Sequence, residues 1–235
     1  MVTKNPWLTF SPNEDDPKVH LTDLPFFRGF NNGMGSSEIK STGSYLLADH
    51  LEPFPYLGNP LANIFMLMAN PGVSDKEKKI SFRMNDEKLE HNRNNLRHQD
   101  LESMRTRIES PDDSRLESAW LKPRVRELVE KTSVQRVTEG LFLVNFHAYH
   151  SKSWYPIPFT FPTQHYSFHL ISEAIKREAV IIMGRNKLGW LTAIPGLFEY
   201  KKETRNVIEF KSARSLHISE GNLSPGNFKK ILDRL

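Results

Sequence analysis

The chain reads as an α/β protein, a three-layer sandwich with a central four-stranded, mostly parallel sheet flanked by helices. Three observations predict this. Ile64-Phe65-Met66-Leu67-Met68, Leu141-Phe142-Leu143-Val144-Asn145 and Ala179-Val180-Ile181-Ile182-Met183 are short, near-continuous apolar runs. Runs of that length closed by turn residues are strands buried on both faces. Between them lie segments whose apolar residues recur at helical spacing, and strands alternating with helices imply parallel pairing with helices on both faces of the sheet.

Residues 1–60 are rich in Pro, Gly and aromatics and read as an N-terminal extension packed on one domain spanning 1–235. Phe26 to Phe30 lead into Asn31-Asn32-Gly33-Met34-Gly35-Ser36-Ser37, a loop-forming composition. Its glycines could bring backbone N–H groups to a phosphate, but no Gly-Lys-Ser/Thr follows, so the segment is expected to pack as a loop. Tyr45, Leu46, Leu47, Leu51 and Phe54 predict a short amphipathic helix before the proline-bounded segment 53–60. The first strand is then broken by Asn70-Pro71-Gly72.

Residues 76–115 form a charged insertion in which Lys76, Lys78, Lys79, Arg83, Arg93, Arg97, Arg105 and Arg107 are interleaved with acids. Such a stretch is either a solvated face or a mobile basic flap that touches phosphate. Leu116, Trp120, Val125, Leu128 and Val129 form an apolar stripe over 114–133, which Pro123 is expected to divide into two helices. The second strand ends in Asn145, so two asparagines stand at the carboxyl ends of two buried strands. That is the edge at which open α/β sheets bind ligands.

The stretch 146–161 (FHAYHSKSWYPIPFTF) is long, and loops of this length are uncommon unless functional. Its Trp154 and Tyr155 could line a pocket, insert into DNA or simply pack. Residues 163–178 read as a helix with Tyr166, Leu170, Ile171, Ala174 and Ile175 on the core face. The third strand ends at Gly184, and Arg185-Asn186-Lys187 open another helix through Leu188, Trp190 and Leu191. The fourth strand is Val207–Phe210 or Leu216–Ile218. Ser224 as N-cap and Pro225 at the first helical position start a terminal helix to Leu235.

Hydrophobic residues make up 38% and charged residues 26%, enough to bury a core and stay in solution. No apolar run approaches a membrane span, and the N-terminus has no charged-then-apolar leader pattern, so a cytoplasmic or nucleoid-associated monomer is expected, neither secreted nor membrane-bound. The absence of cysteine excludes disulfides, thiolate zinc sites and cysteine-ligated clusters. A net charge of +4 and a pI near 9.2 permit a polyanionic partner.

Three pieces resemble, in order, the uracil-DNA glycosylase superfamily. Asn70-Pro71-Gly72 after the first core strand resembles the Gly-x-Asn-Pro-Gly motif of the mismatch-specific and single-strand-selective branches. Asn145 ends a strand like the family's base-reading Asn. His217-Ile218-Ser219 looks like the His-Pro-Ser-Pro motif before the last helix. Phe82 lies about where the family places its base-stacking Phe. The resemblance covers roughly 61–235. Ala69 precedes Asn70 where the motif usually has another residue, many members carry Asp at the position of Asn70, and Ile218 and Glu220 replace the two prolines. The lack of cysteine also sets the chain apart from the iron–sulfur branches.

The resemblance implies a monofunctional DNA glycosylase that needs no metal or other cofactor and flips out a damaged, mismatched or modified base before hydrolysing its N-glycosidic bond. Asn70 and His217 would be catalytic, Asn70 positioning water and His217 donating to the departing base. Asn145, Phe82 and Gly72 would bind the base. Ser219, Ser224, Arg185, Lys187 and Arg214 would hold DNA phosphates. The aromatic loop leaves room for a bulky modified pyrimidine, as in phage DNA, so the role is repair or phage defence. Two other classes stay open. A non-catalytic DNA-binding module needs only the fold and the charge. A metal-dependent hydrolase would use His165, His169 and Glu173, which share one helical face, with His147 or His150 as a further ligand.

Overall fold

A computed structural model describes residues 4–13, 16–36, 45–73, 86–109, 118–212 and 214–235. The chain forms a five-stranded mixed sheet of Tyr56–Gly58 (β1), Ile64–Met68 (β2), Leu141–Asn145 (β3), Val180–Met183 (β4) and Val207–Glu209 (β5), in the order β1-β3-β2-β4-β5. The strands β3, β2, β4 and β5 are mutually parallel, with Ile64 opposite Leu141 on one side and Val180 on the other. The expected four parallel strands are therefore present, and the count is corrected by β1. It adds an antiparallel edge, Tyr56 opposite Val144. Three residues between prolines are too few to show a periodicity.

Successive side chains of a strand point to opposite faces, and the core divides accordingly. Phe65, Leu67, Phe142, Val144, Ile181 and Met183 pack with Trp7, with Leu170 and Ile171 of Gln164–Lys176, and with Trp190 and Leu197. Ile64, Met66, Met68, Leu141, Leu143, Val180 and Ile182 pack on the other face with Met104, Leu121, Val125, Leu128, Phe228 and Ile231. The helices, in chain order, are α1 (Leu24–Ser36), α2 (Asp86–Arg97), α3 (Glu102–Glu109), α4 (Ser118–Lys131), α5 (Val134–Gly140), α6 (Gln164–Lys176), α7 (Lys187–Ala193), α8 (Pro195–Glu203) and α9 (Pro225–Arg234).

Four local expectations are corrected. The Asn- and Gly-rich stretch after Phe30 continues α1 to Ser36 instead of forming a loop. Residues 45–54 are not a helix: Asn31 donates to the Leu47 carbonyl and accepts from its N–H, and Ala48 and Phe54 donate to the carbonyls of His150 and Ala148. Tertiary hydrogen bonds there win over the helical pattern of Leu47 and Leu51. The described part of the charged insertion is no detached flap. Met104 and Ile108 are core residues, and the buried Asn95 donates to the Tyr56 carbonyl (2.8 Å) and accepts from Gly58 N–H (3.1 Å), so it closes the open edge of β1. Pro123 stands inside α4 without dividing it, because the buried Leu121, Val125 and Leu128 carry the helix past it.

The buried Asp23 carboxylate ties the start of α1 to the rest of the fold. Asp23 accepts hydrogen bonds from Tyr149 Oη (2.6 Å), Thr163 N–H (3.1 Å) and Thr163 Oγ1 (2.5 Å). It fixes the start of α1 against both ends of the 146–161 loop. Around it Val19, Phe27, Phe30, Leu47, Tyr149 and Phe161 form a third apolar cluster. Asp23→Ala would leave three buried donors without an acceptor. It should cost about 3 kcal/mol or more in chemical denaturation, since each orphaned buried group costs about 1–3 kcal/mol. A loss under about 1 kcal/mol would mean that the extension is only loosely attached.

Candidate functional site

The carbonyls at the end of β2 organise the site. Leu67 O accepts from the backbone N–H groups of Gly184 (2.9 Å) and Arg185 (3.1 Å). Met68 O accepts from Phe146 N–H (3.1 Å) and from Trp190 Nε1 (2.9 Å), and Ala69 O accepts from His147 N–H (3.0 Å). The loops leaving β3 and β4 are thus both fastened to β2. Gly184 is needed at this crossing, because a Cβ there would stand 2.5 Å from Leu67 O. Asn186 follows in the left-handed conformation, φ 54°, and turns the chain into α7.

Between these loops lies a cavity of about 370 Å³. Its walls are Phe54, Leu57, Met68, Trp120, Leu121, Leu143 and Trp154. Its polar groups are Asn70, Asn145 and Ser151, and Arg107, Lys152 and Arg185 also line it. The volume falls in the range of small-molecule sites, roughly 300–1,000 Å³. No Asp or Glu lines it among the described residues.

Two asparagine amides are oriented into this space. Asn70 Nδ2 donates to Ser151 Oγ (2.8 Å) and the Pro71 carbonyl (3.1 Å). Asn145 Nδ2 donates to the Phe54 carbonyl (2.8 Å). A carbonyl partner fixes which end of each amide is nitrogen. Both Oδ1 atoms therefore remain as acceptors, and Asn145 keeps a second N–H. Gly72 is held as well: its carbonyl lies 2.8 Å from His150 Nδ1, whose Nε2 is 3.1 Å from the Glu52 carbonyl. The Glu52 carboxylate is buried and paired with Arg93 (2.8 Å) and Asn92 (3.0 Å).

Of the site residues expected from sequence, Asn70, Gly72, Asn145 and Arg185 come together in the cavity. Trp154 joins them. His217 does not line it: this residue is half-buried in the segment after β5, with its carbonyl accepting from Asn222 Nδ2. Ser219 Oγ accepts from Asn222 N–H, and Ser224 Oγ caps α9 by accepting from Asn227 N–H. Lys187 is paired with Glu209 at 2.5 Å, and Arg214 is exposed elsewhere. Phe82 lies outside the described residues. His165, His169 and Glu173 share one face of α6, but no group of three such side chains assembles to hold a metal among the described residues, and Glu173 pairs with Lys176 at 2.7 Å. Sequence reasoning missed Arg107, Ser151 and Lys152 as cavity residues and read Trp120 only as core.

Behind the Trp154 wall stands His147, 1% exposed, its ring stacked on the indole at 4.8 Å. Neither ring nitrogen has a hydrogen-bond partner. Burial lowers its pKa to about 3, and the neighbouring Gln164 side chain, although outside hydrogen-bond geometry, acts in the opposite direction. His98, which stacks on Tyr56, is similarly lowered to about 4 by burial.

Set against known proteins, the chain matches no family model, no curated protein and no solved structure.

The histidines generate a prediction with a definite sign. A His whose folded pKa is depressed is neutral in the fold and takes up a proton on unfolding below about 6.5. Stability should therefore fall as pH drops from about 6.5 towards 3. His147→Phe keeps an aromatic ring against Trp154 and removes this term. Its melting temperature should fall less between pH 7 and pH 4 than that of the parent. Equal falls would contradict the neutral, buried assignment.

Proposed function

We propose that the protein is a monofunctional DNA glycosylase that takes a flipped damaged, mismatched or modified base into the cavity beside Asn70 and Asn145. The observation that carries this reading is the pair of amides. They stand at the carboxyl ends of two adjacent parallel strands, held by Ser151 and by Phe54, with both Oδ1 atoms left to a cavity that has aromatic walls and cationic groups. The order of the short motifs in sequence agrees with it.

The chemistry follows from what each group can do. A base entering between Phe54, Trp120 and Trp154 exchanges stacking in DNA for aromatic walls. Asn145 offers its edge one acceptor and one donor. Asn70 Oδ1 accepts from a water beneath the sugar carbon, and Ser151 fixes the direction of that acceptor. An amide is not a base, so it aligns the water, which after attack gives its proton to solvent, while the base released as an anion takes one up. As the C1′–N bond breaks, its electron pair leaves with the base. Arg107, Arg185 and Lys152, which line the cavity, offset the developing negative charge. Because His217 stands outside the cavity, these groups and the second Asn145 N–H take the role of stabilising the leaving base. The volume accommodates a pyrimidine with a substituent, which favours a modified base and a role in repair or in defence against modified phage DNA.

The test is a panel of oligonucleotides, each carrying one altered base, scored for strand cleavage before and after alkali. At least one should give a break that appears only with alkali. A break without alkali would indicate lyase chemistry, with Lys152 as its nearest amine, and no break on any member would leave a DNA-binding module. On the best substrate, Asn70→Ala should slow single-turnover excision about 10²-fold, the scale of a misplaced reactant. Asn145→Ala should relax or abolish discrimination between bases. His217→Ala should be the mildest of the three.

A further inference from the structure

The residues that line the cavity are sorted by depth. Leu57, Met68, Leu121 and Leu143 are buried and make an apolar floor. Phe54, Trp120, Trp154, Asn70 and Asn145 are half-buried and form the middle. Lys152 and Arg185 are exposed and stand at the mouth. Both are placed by the exit of β2. Arg185 N–H donates to Leu67 O (3.1 Å), and the N–H of Ser151, next to Lys152, donates to Pro71 O (3.3 Å). Among the described residues neither cation is in an ion pair, whereas Lys187 is neutralised by Glu209.

Volume sets a second condition. About 370 Å³ is the space of about a dozen water molecules at roughly 30 Å³ each. A pyrimidine base has about eight non-hydrogen atoms, and bonded atoms pack closer than separate waters, so a base alone leaves part of the cavity unfilled. A base joined to its sugar fills more of it, and the next group that a nucleotide carries is a phosphate.

Charge sets a third. The charged lining residues are cations, which favours an anionic ligand. Ser219, Ser224, Lys187 and Arg214, which would follow a DNA strand away from the flipped nucleotide, do not line the cavity. The cations that do line it surround one opening, and this suits a phosphate that arrives with its own sugar and base.

We propose that the cavity binds a free nucleoside 5′-monophosphate whole, with the base between the aromatic walls and against Asn145, and the phosphate at the mouth on Lys152 and Arg185. The site requires no DNA, and the inference does not rest on the glycosylase reading. Where DNA uses the same cavity, a free nucleotide is its competitor.

The test uses the full chain and no DNA. Deoxyuridine and deoxyguanosine 5′-monophosphates, the two nucleosides without phosphate, and deoxyribose 5-phosphate are titrated in a calorimeter at constant ionic strength. At least one nucleotide should bind about tenfold or more tightly than its own nucleoside, the scale of one charge-assisted hydrogen bond. It should also bind more tightly than the sugar phosphate. Trp154→Ala should weaken nucleotide and nucleoside alike. The double variant Lys152→Gln with Arg185→Gln should bring the nucleotide down to its nucleoside. Both replaced residues are exposed, so this variant should melt like the parent. Three results overturn the site: neither nucleotide binds better than its nucleoside, the sugar phosphate binds as well as the nucleotide, or the advantage of the phosphate survives the double substitution. The oligonucleotide panel judges the glycosylase reading separately. Excision from DNA without any preference for nucleotide over nucleoside sinks this inference alone. A nucleotide preference with every oligonucleotide uncleaved upholds it while the glycosylase reading falls.

Discussion

The site depends on the carbonyl groups that β2 leaves unpaired where the sheet ends. A buried carbonyl must find a donor, and those of Leu67, Met68 and Ala69 find theirs in the loops that follow β3 and β4. Strand pairing alone would bring three strand ends side by side. The additional bonds to Phe146, His147, Gly184, Arg185 and Trp190 decide where the next residues go. They set Asn70 and Asn145 at a fixed separation and leave the cavity between them. Trp190 shows the economy of the arrangement: the same indole fills the core beside Phe146 and Phe168 and donates to the strand end.

The parts of this design legible in the sequence are those that local pattern controls. β2 and β3 fall where their apolar runs predict, because a strand buried on both faces has no alternation to disturb the signal. Asn70 and Asn145 could be singled out because two asparagines follow two buried runs at the same edge of the sheet. The parts that could not be read are those fixed by distant partners. β1 is three residues long and exists because β3 offers an edge and Asn95 closes the other side. α3 looks like a charged surface segment, yet Met104 and Ile108 suffice to bury one face and bring Arg107 to the cavity, 4.7 Å over Phe54. His217-Ile218-Ser219 resembles the His-Pro-Ser-Pro motif in its residues and its place before the last helix. That likeness gives its place in the chain but says nothing of whether the ring reaches the cavity.

The charged residues that line the cavity, among the described residues, are all cations. Several acids elsewhere in the fold are paired: Glu52 with Arg93, Glu209 with Lys187 and Lys201, Glu102 and Glu109 with Arg105. Beside the cavity two guanidiniums lie over aromatic rings, Arg107 over Phe54 and Arg124 over Trp120. A ring face holds a guanidinium in place without neutralising it. Such a surface suits the negatively charged ligand with a flat apolar part that the proposed glycosylase reading requires.

The central claim is that a base leaves the helix and enters this cavity. Photo-crosslinking measures it most directly. An oligonucleotide carrying 5-iodouracil opposite guanine is irradiated with the protein and the attachment points are mapped by mass spectrometry. The account predicts crosslinks to Phe54, Trp120 or Trp154, weakened in Asn145→Ala. Crosslinks confined to residues outside the cavity, unchanged in that variant, would contradict it.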